Sequence, residues 1–374
     1  MTSYCYEEES DSIYKTKLPH LSDFRVHYVI GKGTYGRVYK VSSRLGPLSR
    51  KDITPHNHSC ESDDARWPVY ALKVIKKDAR NRHLETAVLP EFRAFHILNN
   101  DCQYIVNFLG SFQTEMYHMI VLEYCHTDFS QMSALLGAMP QEVRKFYLAE
   151  LILGMEFIHS KDLLHLDLKL NNLGLSPQGH LKILDFGLSW HVPTQGCFHK
   201  YFDLGQHLQF VAPEAKYMAT AYQVGFPADI WSFGVIAFQM AYLSLPFPKK
   251  EKETSWIDES LVVEFPPNNR KIEDSIYEDL VWGCLRNNPY HRFSLSYLKA
   301  HDFFDGGAYF ERMGNVKPLK VRNLVPPKTC KDNYIWRPYE QFPVRCPASV
   351  RRDPQFDYYA RVYKYAGRPD NKLP

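Results

Sequence analysis

The order of hydrophobic and polar residues becomes regular near residue 24. Phe24, Val26, Tyr28 and Ile30 recur at a period of two, which predicts a strand with one buried face. A glycine turn follows, and a second strand is predicted after it. The runs PVYALKV, YIVNFLGSFQ and HMIVLEYC predict further strands. The first part of the chain should therefore form a small β-rich unit.

Helical periodicity dominates the rest of the chain. After Pro140, apolar residues recur at helical spacing from Gln141 to His159: Val143, Tyr147, Leu151, Met155 and Ile158. A helix is also predicted for HLETAVLPEFRAFHIL, where Pro90 indicates a kink or a restart. The longest apolar run, residues 230–245, contains polar side chains and follows Asp229, so it predicts a buried helix rather than a membrane span.

Composition places few further limits. A formal net charge of +3 gives no reason to expect nucleic-acid binding. Eight cysteines form no CxxC pair, and the polar, acidic first residues do not resemble a signal peptide. Reduced thiols and a cytoplasmic or nuclear location are therefore expected. Nothing in the sequence indicates an oligomeric state.

Changes in composition divide the chain. Residues 1–23 are acidic and without periodicity, which predicts a flexible leader, and residues 42–68 form a polar insertion broken by Pro and Gly. His56, His58 and Cys60 in that insertion lack a fourth ligand at a recognisable spacing, so a solvated loop is preferred to a metal site. Residues 305–374 form a basic, Pro-rich extension without a visible core.

The candidate chemistry is concentrated in HLDLKLNNLGLSPQGHLKILDFG, residues 165–187. LGL and HLKIL predict a hairpin that brings the loop before it and the DFG after it to one end. Phosphoryl transfer needs a carboxylate to orient the attacking hydroxyl and oxygen ligands for Mg²⁺. Asp167 suits the first role, and Asn172 and Asp185 suit the second. Two solvated aspartates in unrelated turns are the alternative.

The spacing of HxDxKxxN and DFG resembles the catalytic and metal-binding loops of eukaryotic protein kinases. The resemblance implies that Lys169 contacts the transferring phosphate. It also assigns Lys73 to the nucleotide phosphates, with Glu91 as the acidic partner and Glu85 as the alternative.

The resemblance also gives the glycine turn a role, because glycines let backbone N–H groups approach phosphate closely. A GxGxxG turn also occurs in dinucleotide-binding folds and in hairpins without a ligand, but here a strand is predicted to follow. Leu122 would lie behind the adenine. Residues 123–125 would form the hinge between the lobes and supply backbone groups to the nucleotide. The implied nucleotide-binding residues are Ile30, Gly31, Lys32, Gly33, Thr34, Tyr35, Gly36, Arg37, Val38, Lys73, Glu91, Glu123 and Cys125.

Residues 188–211 correspond to the activation segment, and two positions near the active site depart from the family pattern. Leu166 replaces an arginine that often pairs with an activation-loop phosphate, which puts phosphate-dependent activation in doubt. His207 lies where serine/threonine kinases commonly have a threonine that contacts the catalytic aspartate and lysine. This departure bears on which substrate hydroxyl the enzyme prefers. Asp203 already carries an acidic side chain near the usual phosphosite.

The resemblance covers residues 24–304. Glu214 of the APE motif should pair with Arg292, and Asp229 should hold the catalytic-loop backbone. The opening strands, GHLKILDFGLS and the extension resemble the AGC group, in which the tail wraps over the small lobe. The resemblance implies that Phe356, Asp357, Tyr358 and Tyr359 dock in that way. Contact of the basic tail with acidic partners or phosphate surfaces and simple disorder are the alternatives.

The resemblance implies a bilobal α+β kinase fold, with a small β-rich N-lobe and a mainly helical C-lobe. The implied activity is ATP-dependent phosphorylation of Ser or Thr in protein substrates, with Mg²⁺. A pseudokinase that binds nucleotide or partners is the alternative, and a small-molecule kinase of related fold is a third possibility.

Overall fold

The computed structural model describes residues 21–32, 36–43, 68–77, 82–114, 116–192, 211–216, 224–247, 263, 265, 272–316 and 318. These residues form two lobes, a five-stranded antiparallel sheet with one long helix and a larger helical part. This architecture is the bilobal α+β fold that the sequence predicted.

The N-lobe sheet has the strand order β1-β2-β3-β5-β4. Its strands are β1 (Phe24–Lys32), β2 (Gly36–Ser43), β3 (Val69–Lys76), β4 (Phe108–Gln113) and β5 (Tyr117–Glu123). Helix α1 (Arg82–Leu98) packs through Phe92 and Phe95 on the face that carries Ala71 and Ile120. The opposite face holds a smaller apolar cluster that includes Phe24, Val41 and Tyr70.

Strand β1 corrects one prediction. Pairing with β2 is irregular between Val26 and Tyr28 and again between Val29 and Gly31, so β1 contains two bulges. Each bulge inserts an extra residue and reverses the alternation of faces. Val29 therefore joins the Phe24 cluster, while Ile30 packs against the main core. The prediction that Tyr28 and Ile30 share the face of Phe24 was wrong.

Helix α1 continues through Pro90 as one helix from Arg82 to Leu98, so a restart at Pro90 was also wrong. Proline removes one backbone donor, which leaves the carbonyl four residues earlier without its usual partner. Neighbouring packing outweighs this cost, since Phe92, Ala94, Phe95 and Leu98 are all buried.

Short elements connect the lobes: β6 (Thr127–Asp128), α2 (Phe129–Leu136), β7 (Leu163–Leu164), β8 (Leu173–Leu175), β9 (Leu181–Ile183) and β10 (Trp190–His191). β8 and β9 form the predicted antiparallel hairpin. It places residues 167–172 and 185–187 at one end, next to the open side of the N-lobe sheet.

The C-lobe contains α3 (Gln141–Ser160), α4 (Pro213–Lys216), α5 (Pro227–Tyr242), α6 (Ile272–Cys284), α7 (Leu295–Ala300) and α8 (Ala308–Arg312). Helix α3 matches the predicted periodic segment. Helix α5 covers most of the long apolar run and is buried along nearly its whole length, as predicted. Within the described part of the chain, no helix is long and apolar enough to cross a membrane.

Packing continues beyond residue 304, the predicted end of the catalytic domain. Lys145 of α3 forms an ion pair with Asp305 (2.8 Å), and Tyr309 of α8 is buried against the main core. The first residues of the predicted extension therefore complete the C-lobe.

Candidate active site

Lys73 is the centre of a three-residue charge cluster between the lobes. Its Nζ donates to both carboxylate oxygens of Glu91, at 2.9 and 2.8 Å, and to Oδ1 of Asp185 at 2.8 Å. β3, α1 and the segment after β9 supply one member each. Glu91 is thus the acidic residue of α1 that is seen to pair with Lys73, as predicted.

The electrostatics favour the charged forms of Lys73 and Asp185. Burial opposes the charge on Lys73, yet the carboxylates of Asp185 and Glu91 raise its pKa above the ordinary value. The partial burial of Asp185 acts to raise its pKa, but the Lys73 ammonium and the N–H of Gly187 lower it to about 2. Burial raises the pKa of Glu91, against the attraction of Lys73. Asp185 is therefore available as an ionised ligand.

Asp167 lies in the loop between β7 and β8 with its carboxylate held from two sides. Lys169 Nζ donates to both oxygens at 2.9 Å, and Asn172 Nδ2 donates to Oδ2 and to the backbone carbonyl of Asp167 at 2.8 Å. These contacts fix the carboxylate in one orientation. A hydroxyl placed beside it would meet an acceptor together with an ammonium group.

His165 connects this loop to the DFG segment. Its Nε2 lies 3.0 Å from the carbonyl oxygen of Leu184, and its ring lies 4.8 Å from the ring of Phe186. The ring of Phe186 in turn lies 5.6 Å from the ring of Phe95, which follows Glu91 by one turn of α1. This buried series of rings holds Asp185, the loop and α1 in register.

Asp229 of α5 holds the loop backbone, as predicted. Its carboxylate accepts from the N–H groups of His165 (2.9 Å) and Leu166 (2.8 Å). Leu166 has a φ of 63°, so these bonds stabilise a left-handed conformation that costs a non-glycine residue energy. A third partner, which no sequence motif indicates, is His159, whose Nε2 lies 2.9 Å from Oδ2 of Asp229.

The donor atoms suit Mg²⁺. Asn172 uses its amide N–H group within the loop, so its side-chain oxygen, which no described residue is seen to bond, can join the carboxylate of Asp185. Mg²⁺ commonly takes one or two protein oxygens and completes its shell with water and phosphate. When bound, the ion would neutralise nucleotide phosphate charge.

Several of the predicted nucleotide-site residues share one face of the N-lobe sheet. Val38 is directly opposite Lys73 in the β2–β3 pairing, and Leu122 is opposite Ala71 in the β3–β5 pairing, so their side chains share that face. A Cβ on Gly36 would come within 2.2 Å of the Val74 carbonyl oxygen, so only glycine fits there. The Arg37 side chain points to the opposite face of the sheet, because successive side chains of a strand alternate. Arg37 could therefore contact a nucleotide only through its backbone.

Several predicted residues lie outside the described part of the chain. They are Gly33, Thr34 and Tyr35 of the glycine turn, His56, His58 and Cys60 of the insertion, Asp203 and His207 of the activation segment, and the motif at residues 356–359. The roles assigned to all the candidate site residues stay predictions.

The chain belongs to the protein kinase family: the model of the protein kinase domain matches residues 59–304. Similar proteins include 3-phosphoinositide-dependent protein kinase B of Dictyostelium discoideum, 27% identical over 326 residues, which cover 83% of this chain and 32% of that protein. Ribosomal protein S6 kinase-related protein of Homo sapiens is 27% identical over 297 residues, with 78% of this chain and 64% of that protein covered. Serine/threonine-protein kinase MRCK beta of Rattus norvegicus is 25% identical over 317 residues, which cover 82% of this chain and 17% of that protein.

The chain thus spans less than two thirds of the length of each of these relatives. Their names agree with the resemblance to AGC-type serine/threonine kinases that the sequence predicted.

Proposed function

We propose that this protein transfers the γ-phosphoryl group of ATP to serine or threonine hydroxyls of protein substrates. The observation that carries the proposal is the paired arrangement of two sites. Lys73 bonds to Glu91 and Asp185, and Asp167 is held by Lys169 and Asn172. The first site suits phosphate and metal, and the second suits the attacking hydroxyl.

Each side chain has a distinct part in this proposal. Lys73 holds nucleotide phosphates, and Asp185 and Asn172 hold Mg²⁺. Asp167 accepts a hydrogen bond from the substrate hydroxyl and orients it for in-line attack, while Lys169 offsets charge on the transferring group. Catalysis of this kind rests on positioning and electrostatics, and the hydrogen bonds within the loop provide that order before substrate arrives.

A pseudokinase is less well supported. Leu166 and His207 are the two departures from the family pattern that favour a pseudokinase. The backbone N–H of Leu166 nevertheless donates to Asp229, and its side chain packs against the main core. The site keeps five residues of the types that the transfer needs: Lys73, Glu91, Asp167, Asn172 and Asp185. Glu214 and Arg292, which form a buried pair in the C-lobe, favour a protein kinase over a small-molecule kinase.

The test is transfer of labelled phosphate from ATP to a peptide library containing Ser, Thr and Tyr acceptors. Wild type should label Ser or Thr peptides in the presence of Mg²⁺, and Asp167→Asn should lose about 100-fold or more of the turnover, a typical contribution of a general base. Lys299→Met, which breaks an exposed ion pair with Glu156, is the matched control and should keep wild-type activity. Equal turnover in Asp167→Asn and wild type would contradict the proposal.

A further inference from the structure

A second, partly buried charge cluster lies between the end of β5 and β9, and it includes none of the residues assigned to phosphoryl transfer. Lys182 of β9 forms an ion pair with Glu123 at the end of β5, with Nζ and Oε2 2.9 Å apart. The Lys182 side chain is 8% exposed and that of Glu123 is 21% exposed. A charged group at this depth needs its partners, because water replaces them poorly.

Asn107 completes the cluster. Its side-chain Nδ2 and its backbone N–H donate to the same Glu123 oxygen, at 3.0 and 3.2 Å. Its carbonyl oxygen accepts from the N–H of Glu123 at 2.9 Å. Asn107 lies between α1 and β4, so the cluster joins three separate segments: the α1–β4 connection, the end of β5 and β9.

Backbone pairing strengthens this connection. The N–H of Val106 donates to the Ile183 carbonyl at 3.0 Å, and the N–H of Ile183 donates to the Tyr104 carbonyl at 2.8 Å. Ile105 and Ile183 form an isolated parallel bridge. Asp185 follows Ile183 by two residues, so the same strand that carries Lys182 also sets the position of the proposed metal ligand.

We propose that Lys182 is a positioning residue for the nucleotide site, and we name Lys182, Glu123 and Asn107 the interlobe joint. This inference rests on the proposed function, because it assumes that a nucleotide lies between the hinge and Asp185. The joint fixes the distance between those two groups. A nucleotide that contacts both binds best when the spacing is set in advance, because no binding free energy is then used to restrain the hinge.

The experiment measures the dissociation constant of Mg·ADP for the full chain by titration calorimetry, alongside thermal melting. Lys182→Met should weaken Mg·ADP about three- to tenfold, a range typical of coupling in buried networks, and Lys182→Arg should restore affinity to within about twofold of wild type. Asn107→Ala should also weaken binding. The double variant should lose less than the product of the two single effects, since both residues act on Glu123.

Lys299→Met is the control, because its ion pair with Glu156 lies on the surface far along the chain from the joint. A residue with only a structural role would lower the melting temperature and leave the affinity unchanged. Unchanged affinity in Lys182→Met, or multiplicative losses in the double variant, would overturn the inference. Should Lys182→Met fail to fold, Asn107→Ala and Lys182→Gln decide the question by the same criteria.

Nucleotide affinity does not require transfer. A wild-type chain that binds Mg·ADP but phosphorylates no peptide would refute the proposed function, while the affinities of the joint variants would still decide the role of Lys182.

Discussion

Glu214 and Arg292 form a two-bonded ion pair inside the C-lobe, with Nη1 and Nη2 each 2.7 Å from one carboxylate oxygen. Their side chains are 1% and 0% exposed. Arg292 also donates to the carbonyl oxygens of Pro227 and Arg286, both at 2.8 Å. One guanidinium therefore ties the end of the activation segment to α5 and to the segment after α6.

Arg292→Met should destabilise the protein by about 3–5 kcal/mol, because it leaves the Glu214 carboxylate buried without a counter-ion. The free energy of unfolding can be measured by urea denaturation at neutral pH. Arg312→Met is a suitable control, since its pair with Asp305 is exposed and should contribute less than about 1 kcal/mol. Equal losses in the two variants would show that burial does not set the strength of the Glu214 pair.

Lys73→Met and Asp185→Asn should each reduce phosphoryl transfer by about 100-fold or more, because one removes phosphate positioning and the other a metal ligand. Their effects on stability should differ. The Asp185 side chain is 45% exposed, so Asp185→Asn should lower the melting temperature little. Lys73→Met should lower it more, because it leaves the buried Glu91 carboxylate unpaired. Turnover and thermal melting should be measured together. Lys73→Met with Glu91→Gln should recover melting temperature without recovering transfer, and recovery of transfer would refute the assignment of Lys73.

Transfer should not require phosphorylation of the activation segment, because Leu166 provides no cationic side chain to bind a phosphate there. Of the three hydroxyl residues in that segment, Ser189 is 2% exposed and donates to the Phe186 carbonyl oxygen at 2.7 Å. Thr194 and Tyr201 lie outside the described residues. Phosphatase treatment, with mass spectrometry to confirm unmodified Ser189, Thr194 and Tyr201, should leave activity within about twofold. Loss of activity that returns on rephosphorylation would prove this prediction wrong.

The contribution of Asp229 to the free energy of unfolding should decrease at acid pH. Burial alone would raise its pKa, but hydrogen bonds and charge from His159, together with the N–H of His165, lower it below the ordinary value. A folded-state pKa below the unfolded value gives stability that is complete above about pH 4 and is lost as pH falls through the folded pKa. Asp229→Asn should cost about 2–3 kcal/mol at pH 7, with the difference from wild type shrinking below pH 4. Urea denaturation between pH 7 and pH 3 measures this, and a difference independent of pH would contradict it.

Much of this structure followed from local sequence. The period-two runs predicted the strands, and the spacing of Asp167, Asn172 and Asp185 predicted one catalytic end of a hairpin. These features depend on short-range patterns and on side-chain chemistry, which a sequence displays directly.

The failures arose where neighbouring strands or distant segments decide the outcome. Bulges in β1 depend on its pairing with β2, and the continuity of α1 through Pro90 depends on packing. The sequence contains no signal for Lys182, because its ion-pair partner Glu123 lies about 60 positions away and Asn107, which bonds to Glu123, lies about 75 positions away. No local motif marks a buried lysine of this kind.

The packing of residues 305–316 has a practical consequence for where the domain can be cut. A fragment ending at residue 304 would remove Asp305 from Lys145 and Tyr309 from its buried site. It would also expose part of Phe304, which contacts Phe310 at 5.2 Å. In such a fragment Lys145 would lack its ion-pair partner and aromatic rings near it would be exposed to water. The fragment should therefore self-associate or unfold more readily than one ending after residue 316.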